Sequence, residues 1–207
     1  MKITLFALLF LAACRTSTGP RSLGEDTFGA GALSRYVNYS DQGNPWSLGN
    51  NSLDGNGIAL HSVLIRKNVV LPDAFIEAVV DSVDDGGLVL RFADNEHYYL
   101  LAIRDDQAPS PRNVDNLQIY RRTGEGQAGF TSLWRKDVTW PRGVSHVVGF
   151  AVSGDTLRVF FDMNKVGELT DVVHMNGGGL GVRHYGNSAS WISRYRLLRW
   201  GESSALD

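Results

Sequence analysis

The chain has 207 residues with 20 basic and 22 acidic side chains, a formal net charge of −2, and a single cysteine. That balance excludes the clustered basic surface that nucleic acid requires. A lone Cys14 excludes a disulfide within the chain, so the fold must be held by packing or by a bound ion.

From the N-terminus, Met1 and Lys2 precede a run of nine consecutive apolar residues, Leu5 to Ala13, that is followed by Cys14 (LFALLFLAAC). As a helix this run spans roughly 14 Å, about half of the ~30 Å hydrocarbon core of a bilayer, so it does not cross one by itself. It reads as a secretory signal, residues 1–13, that is excluded from the fold. Its end, Leu11-Ala12-Ala13-Cys14, resembles the lipobox of bacterial lipoproteins. That resemblance implies that Cys14 is lipidated and becomes the first mature residue, with two or three acyl chains anchoring the protein to a membrane. Arg15 follows where inner-membrane retention usually shows Asp, so the resemblance points to a lipoprotein of the bacterial outer membrane, facing the periplasm or the outside.

Residues 14–25 continue as RTSTGPRSLGE after the cysteine, polar and without periodicity. They read as a tether of at most roughly 35–40 Å. From 26 to 200, turn signals separate short runs rich in Val, Leu, Ile, Phe and Tyr, among them GLVLRFA, HYYLLAIR, HVVGFAVS and TLRVFFD. None holds helical spacing over three turns, and the pattern predicts one all-β sandwich or barrel. Hairpin turns are expected at Ser153-Gly154-Asp155 and at Asp162 to Lys165, and a polar tail at 201–207. The longest break, Asp105 to Asp115, carries two prolines and is expected to be an exposed loop.

The order of these runs resembles the concanavalin A-like, laminin G-like jelly-roll domains. The stretches that carry the likeness are TFGAGALSRYVNYSDQGNPWSLGNNSL, GGLVLRFADNEHYYLLAI, SGDTLRVFFDMNKVGEL and GGGLGVRHYGNSASWISRYRLLR. The resemblance implies two stacked antiparallel sheets, with the concave outer face of one as the usual ligand surface. It does not choose an activity, since the fold serves lectins, glycoside hydrolases, polysaccharide lyases and adhesion modules.

Candidate ligand residues follow from strand alternation. In GLVLRFA, Leu88, Leu90 and Phe92 alternate with Val89, Arg91 and Ala93, so Arg91 is expected on the face away from the core. Tyr98 and Tyr99 fall on opposite faces, Arg183 and Tyr185 on the same one. Arg91, Tyr120, Arg183 and Tyr185 are therefore expected on one groove. Trp46 and Trp134 are the tryptophans expected to be exposed enough to stack on a sugar. The resemblance further implies a structural calcium ion at the sheet rim, for which Asp94, Asn95, Asp105 and Asp106 supply oxygen ligands, although the last strand lacks the acid that relatives often carry there.

Catalytic signals are weak by comparison. No E-x-D-x-(x)-E run occurs, and the strand-borne acids Glu77 and Asp81 suit solvation at a rim as well as chemistry. The five histidines lack zinc spacing, and no G-x-S-x-G, P-loop or dinucleotide fingerprint is present. The expected function is a noncatalytic envelope lipoprotein binding carbohydrate or another surface component. The alternatives are a glycoside hydrolase like the 3-keto-disaccharide hydrolases, a polysaccharide lyase, and a structural interaction module.

Overall fold

A computed structural model describes residues 21–41, 43–83, 85–104, 115–140, 144–173, 176–186 and 192–203. They form fifteen strands in two antiparallel sheets, a jelly-roll β-sandwich as expected. The larger, eight-stranded sheet runs in the order β13 (Asn164–Thr170), β12 (Thr156–Phe161), β11 (His146–Ser153), β6 (Ala74–Val83), β15 (Ile192–Glu202), β4 (Leu53–Asn56) and β3 (Trp46–Leu48), with β1 (Arg21–Asp26) also paired to β15. The seven-stranded sheet runs β10 (Phe130–Asp137), β9 (Asn116–Thr123), β8 (His97–Arg104), β7 (Gly86–Asp94), β14 (Gly179–Gly186), β5 (Ala59–Arg66) and β2 (Tyr36–Ser40).

The main core lies between the sheets. Ile76, Ala78 and Val80 of β6 and Val148, Phe150 and Val152 of β11 face Leu88 and Leu90 of β7 and Tyr99, Leu101 and Ile103 of β8. In each case alternate residues point inward, as the two-residue period of a strand requires. The turns are short where the sequence expects them to be. Gly154-Asp155 joins β11 to β12, and Asp162-Met163, with φ of 47° and 65°, joins β12 to β13. Two successive positive φ values are the geometry whose twist matches that of the flanking strands.

Both ends of the domain extend beyond the expected limits of 26 and 200. Arg21 to Glu25, expected in the tether, belong to β1, which pairs with β15 from Arg21↔Glu202 to Asp26↔Leu198. Hydrophobic periodicity gave no sign of this strand, because it contributes backbone pairing rather than side chains to the core and only Asp26 at its end is buried. Gly24 lies against the Trp200 ring, where a Cβ would sit 2.6 Å from the nearest ring carbon. At the other end Gly201 and Glu202 continue β15, and Ser203 is buried with its hydroxyl donating to the Val152 carbonyl. The expected signal peptide, Cys14 and the tether to residue 20 lie outside the described residues.

The expected alternation fails in β7. The ladder between β7 and β8 shifts register between Leu90 and Asp94, and Arg91 takes a φ of 51°. A bulge of this kind turns two successive side chains to the same side. Leu88 and Leu90 enter the main core while Phe92 joins Val89 on the outer face. Arg91 is 2 % exposed and donates to the carbonyls of Pro72, in the crossing from β5 to β6, and Gly154, in the β11–β12 turn of the other sheet. Gly178 backs onto the bulge, where a Cβ would sit 2.5 Å from the Arg91 carbonyl carbon.

Candidate functional site

The outer face of the seven-stranded sheet carries a second apolar cluster: Val63, Ile65, Val89, Phe92, Tyr98, Leu100 and Ala102, with Tyr120 and Phe130 packed against it. Aromatic rings form a row across this face. Tyr39 meets Phe92 at a centroid distance of 4.8 Å, Phe92 meets Tyr98 at 5.7 Å, Tyr98 meets Phe130 at 6.3 Å, and Phe130 meets Tyr120 at 5.9 Å.

Phe130 reaches the face because of the turn that precedes it. The Gly129 N–H donates to the Glu125 carbonyl at 3.2 Å and the Gly124 N–H to the Glu96 carbonyl at 3.1 Å. A Cβ at Gly129 would collide with the Gly124 carbonyl, so the turn closes only around glycine. Arg122 supports it, donating from Nε to the Gly124 carbonyl and from Nη1 to the Tyr98 hydroxyl, both at 3.1 Å, while its guanidinium lies 5.0 Å from the Phe130 centroid.

Beside Phe130 lies a small pocket, open to solvent. Leu100 and Ala102 of β8 line it together with the rings of Tyr120, Phe130 and Tyr185. Its charged groups are Asp85, Arg104 and Arg183. Asp85 immediately precedes β7, and its carboxylate is shared: Arg183 Nη1 donates to Oδ1 at 3.2 Å, and Arg104 Nε pairs with Oδ2 at 3.3 Å. Both arginines stack on aromatic rings, Arg183 at 5.1 Å from the Tyr185 centroid and Arg104 at 5.9 Å from that of Tyr120.

The backbone beneath this cluster is fixed from the core side. The Tyr195 hydroxyl accepts from the Gly87 N–H at 2.9 Å and donates to the Arg183 carbonyl at 2.8 Å. Burial raises the Tyr195 pKa well above the phenol range, which keeps the hydroxyl protonated as a donor. The Tyr185 N–H donates to the Asp85 carbonyl at 2.9 Å, joining β14 to the segment that carries the carboxylate.

His61 of β5 stacks on Phe130 at 5.8 Å. Burial first, then the neighbouring charges of Arg122 and Arg183, push its pKa down to about 4 against the opposing pull of Asp41. The imidazole is therefore neutral near pH 7.

Of the expected ligand residues, Tyr120, Arg183 and Tyr185 come together at this pocket. Arg91 does not, since the β7 bulge turns it into the junction between the sheets. Trp46 is not exposed: at 4 % exposure it is core, with Nε1 donating to Ser62 Oγ at 2.7 Å. Trp134 is half-buried against the main core and lies over Gly167 of β13, away from the pocket. Glu77 and Asp81 are tied up in ion pairs with Arg199 and Arg196.

Of the expected calcium ligands, Asp94 Oδ1 accepts from the Glu96 N–H at 2.8 Å and contacts His97 Nδ1 at 2.8 Å, and Asn95 is half-buried in the same turn. Asp105 and Asp106 lie outside the described residues. Among the described residues no group of three or more His, Cys, Asp or Glu side chains could hold a metal ion.

Sequence reasoning missed Asp85, Arg104, Phe130 and His61. Arg104 had a readable signal, because it shares a face with Tyr98, Leu100 and Ala102 at two-residue spacing in β8. Phe130 had none beyond the glycines of GEGQAGF before it.

No protein-family model and no curated protein sequence matches the chain. Solved structures do match. A Bacillus subtilis protein of unknown function with a galectin-like fold superposes with a TM-score of 0.67 at 11% identity, covering 87% of this chain and 96% of that one. The carbohydrate-binding module CBM66 of Bacillus subtilis has a TM-score of 0.62 at 12% identity, covering 79% and 93%. The Emp46p carbohydrate recognition domain, in metal-free form, has a TM-score of 0.60 at 14% identity, covering 87% and 95%. Glycoside hydrolases are also among the similar structures. At these identities the likeness establishes the fold, a galectin-like or concanavalin-like jelly roll.

Proposed function

We propose that this chain is a noncatalytic carbohydrate-binding lipoprotein of the bacterial envelope, anchored through Cys14 and taking its ligand on the outer face of the seven-stranded sheet. The observation that carries the binding site is the Asp85, Arg104 and Arg183 cluster set among Tyr120, Phe130 and Tyr185 in an open pocket. Aromatic faces suit the C–H faces of a sugar ring, and guanidinium donors suit its oxygens. The carbohydrate-binding module CBM66 and the Emp46p carbohydrate recognition domain, which share this fold, support the same ligand class.

Against hydrolysis stands the composition of the pocket. Hydrolysis of a glycosidic bond by the usual route uses two carboxylates. Among the described residues the pocket lining contains one, Asp85, and both of its oxygens are engaged by arginines.

A glycan array probed with the mature chain carrying Cys14→Ser tests the reading. Binding that is lost in Phe130→Ala supports it, and no binding to any glycan by folded protein overturns it. Labelling of the full chain with radioactive palmitate, absent in Cys14→Ser, tests the anchor separately.

A further inference from the structure

We infer that the pocket selects an anionic sugar, one bearing a carboxylate or a sulfate, with Arg104 and Arg183 as the recognising donors. The inference rests on the carbohydrate-binding reading above and names the class of ligand.

The donor and acceptor balance of the pocket leads there. Its only carboxylate among the described residues, Asp85, already meets Arg183 at 3.2 Å and Arg104 at 3.3 Å, and the Asp85 side chain is 9 % exposed. Little acceptor capacity is left for the hydroxyls of a neutral sugar. The donor side is in surplus: each guanidinium carries five N–H groups. Arg183 is 6 % exposed in its side chain, and its Nε is buried without a hydrogen-bond partner among the described residues. A buried donor without an acceptor is unfavourable until a ligand oxygen reaches it.

The charge balance agrees. Among the described residues two arginines against one aspartate leave the pocket lining net positive, in a chain whose formal charge is −2. Arg122 adds a third cation behind Phe130. The depressed pKa of His61, to which Arg122 and Arg183 contribute after burial, reports the same positive field. Leu100, Ala102 and Phe130 lower the local polarity, which strengthens an ionic contact made there. Planar guanidiniums held on aromatic rings are suited to the paired oxygens of a carboxylate or sulfate.

The test is calorimetric titration of the full chain in detergent with three oligosaccharides of equal length: an oligogalacturonate, a sulfated galactan and a neutral xylan fragment. Wild type is compared with Arg104→Gln, a half-exposed position, and Arg183→Gln, with thermal unfolding as the control for folding. At least one anionic oligosaccharide is expected to bind about tenfold or more tightly than the neutral one, weakening as salt rises. Arg104→Gln is expected to lose about tenfold for that ligand. Preference for the oligogalacturonate identifies a carboxylate ligand, and preference for the galactan a sulfate. Equal or tighter binding of the xylan fragment overturns the inference and leaves carbohydrate binding standing. Failure of the folded protein to bind any of the three, together with an empty glycan array, overturns both.

Discussion

Arg91 and Pro72 are joined where the two sheets meet: Nε and Nη2 of the arginine donate to the proline carbonyl at 3.1 and 2.9 Å. Nη2 also reaches the Gly154 carbonyl at 2.5 Å, in the turn between β11 and β12. One cation thus ties a bulge in the seven-stranded sheet to the crossing between the sheets and to a turn of the other sheet. Arg91→Ala is expected to destabilise the fold by about 2–4 kcal/mol, because buried carbonyls lose a charged donor and a cavity opens. Chemical denaturation measures this. Unchanged stability, or a loss of glycan binding in a variant that is fully folded, would contradict the structural role assigned here.

The contrast between Arg91 and Arg183 also marks where strand alternation could be read and where it could not. In β8 the two-residue period holds, so Tyr98 and Tyr99 part as expected, and in β14 Arg183 shares the outer face with Tyr185 despite register shifts at both ends of the strand. In β7 the register shift after Leu90 reverses the faces, and nothing in GLVLRFA announces it. Its partner signal is Gly178, whose missing side chain makes room for the bulge, but the two meet only in three dimensions. β1 was hidden for a different reason, since its polar residues pair through the backbone and bury little.

Phe130 and Trp46 make opposite predictions, although both were aromatic residues flanked by turn signals. Phe130 is half-buried and caps the outer face, so Phe130→Ala is expected to weaken glycan binding by about tenfold or more while costing about 1–2 kcal/mol of stability. Trp46 is closed into the core with its Nε1 on Ser62. Trp46→Ala is expected to cost about 3–5 kcal/mol, and Trp46→Phe somewhat less, with Ser62 left short of a donor. Neither change at Trp46 should alter the affinity of the protein that remains folded. Paired calorimetry and denaturation on the variants decide this, and a specific loss of affinity in Trp46→Phe would return that residue to the ligand site.

Gly129 is expected to be intolerant of any side chain. Its φ is not in the left-handed region; the constraint is contact, since a Cβ would strike the Gly124 carbonyl. Gly129→Ala must open the turn that delivers Phe130, so it is expected to reduce glycan binding as far as Phe130→Ala does. Combining the two should add little beyond either alone, because both remove the same ring from the same place. A double variant whose losses simply multiply would separate the turn from the ring.

His61 predicts the acid side of the stability curve. The ring faces Arg122 and Arg183, which disfavour its protonation, and Asp41, which favours it, while burial against Phe130 acts in the same direction as the arginines. Its pKa is about 4 in the folded chain and 6.5 in an ordinary setting. Above pH 6.5 the ring is neutral in both states and contributes nothing to the pH dependence. Between 6.5 and 4 the unfolded chain binds a proton that the folded chain refuses, so stability falls as the pH is lowered, and below about 4 this contribution levels off. For a half-buried group screened by solvent the total is about 1–2 kcal/mol. Carboxylates titrate in part of the same range, so the measurement is the difference between wild type and His61→Gln in unfolding free energy from pH 7 to 4. The wild type should lose stability faster over that interval, and parallel curves would mean that His61 does not sit in the positive field of Arg122 and Arg183.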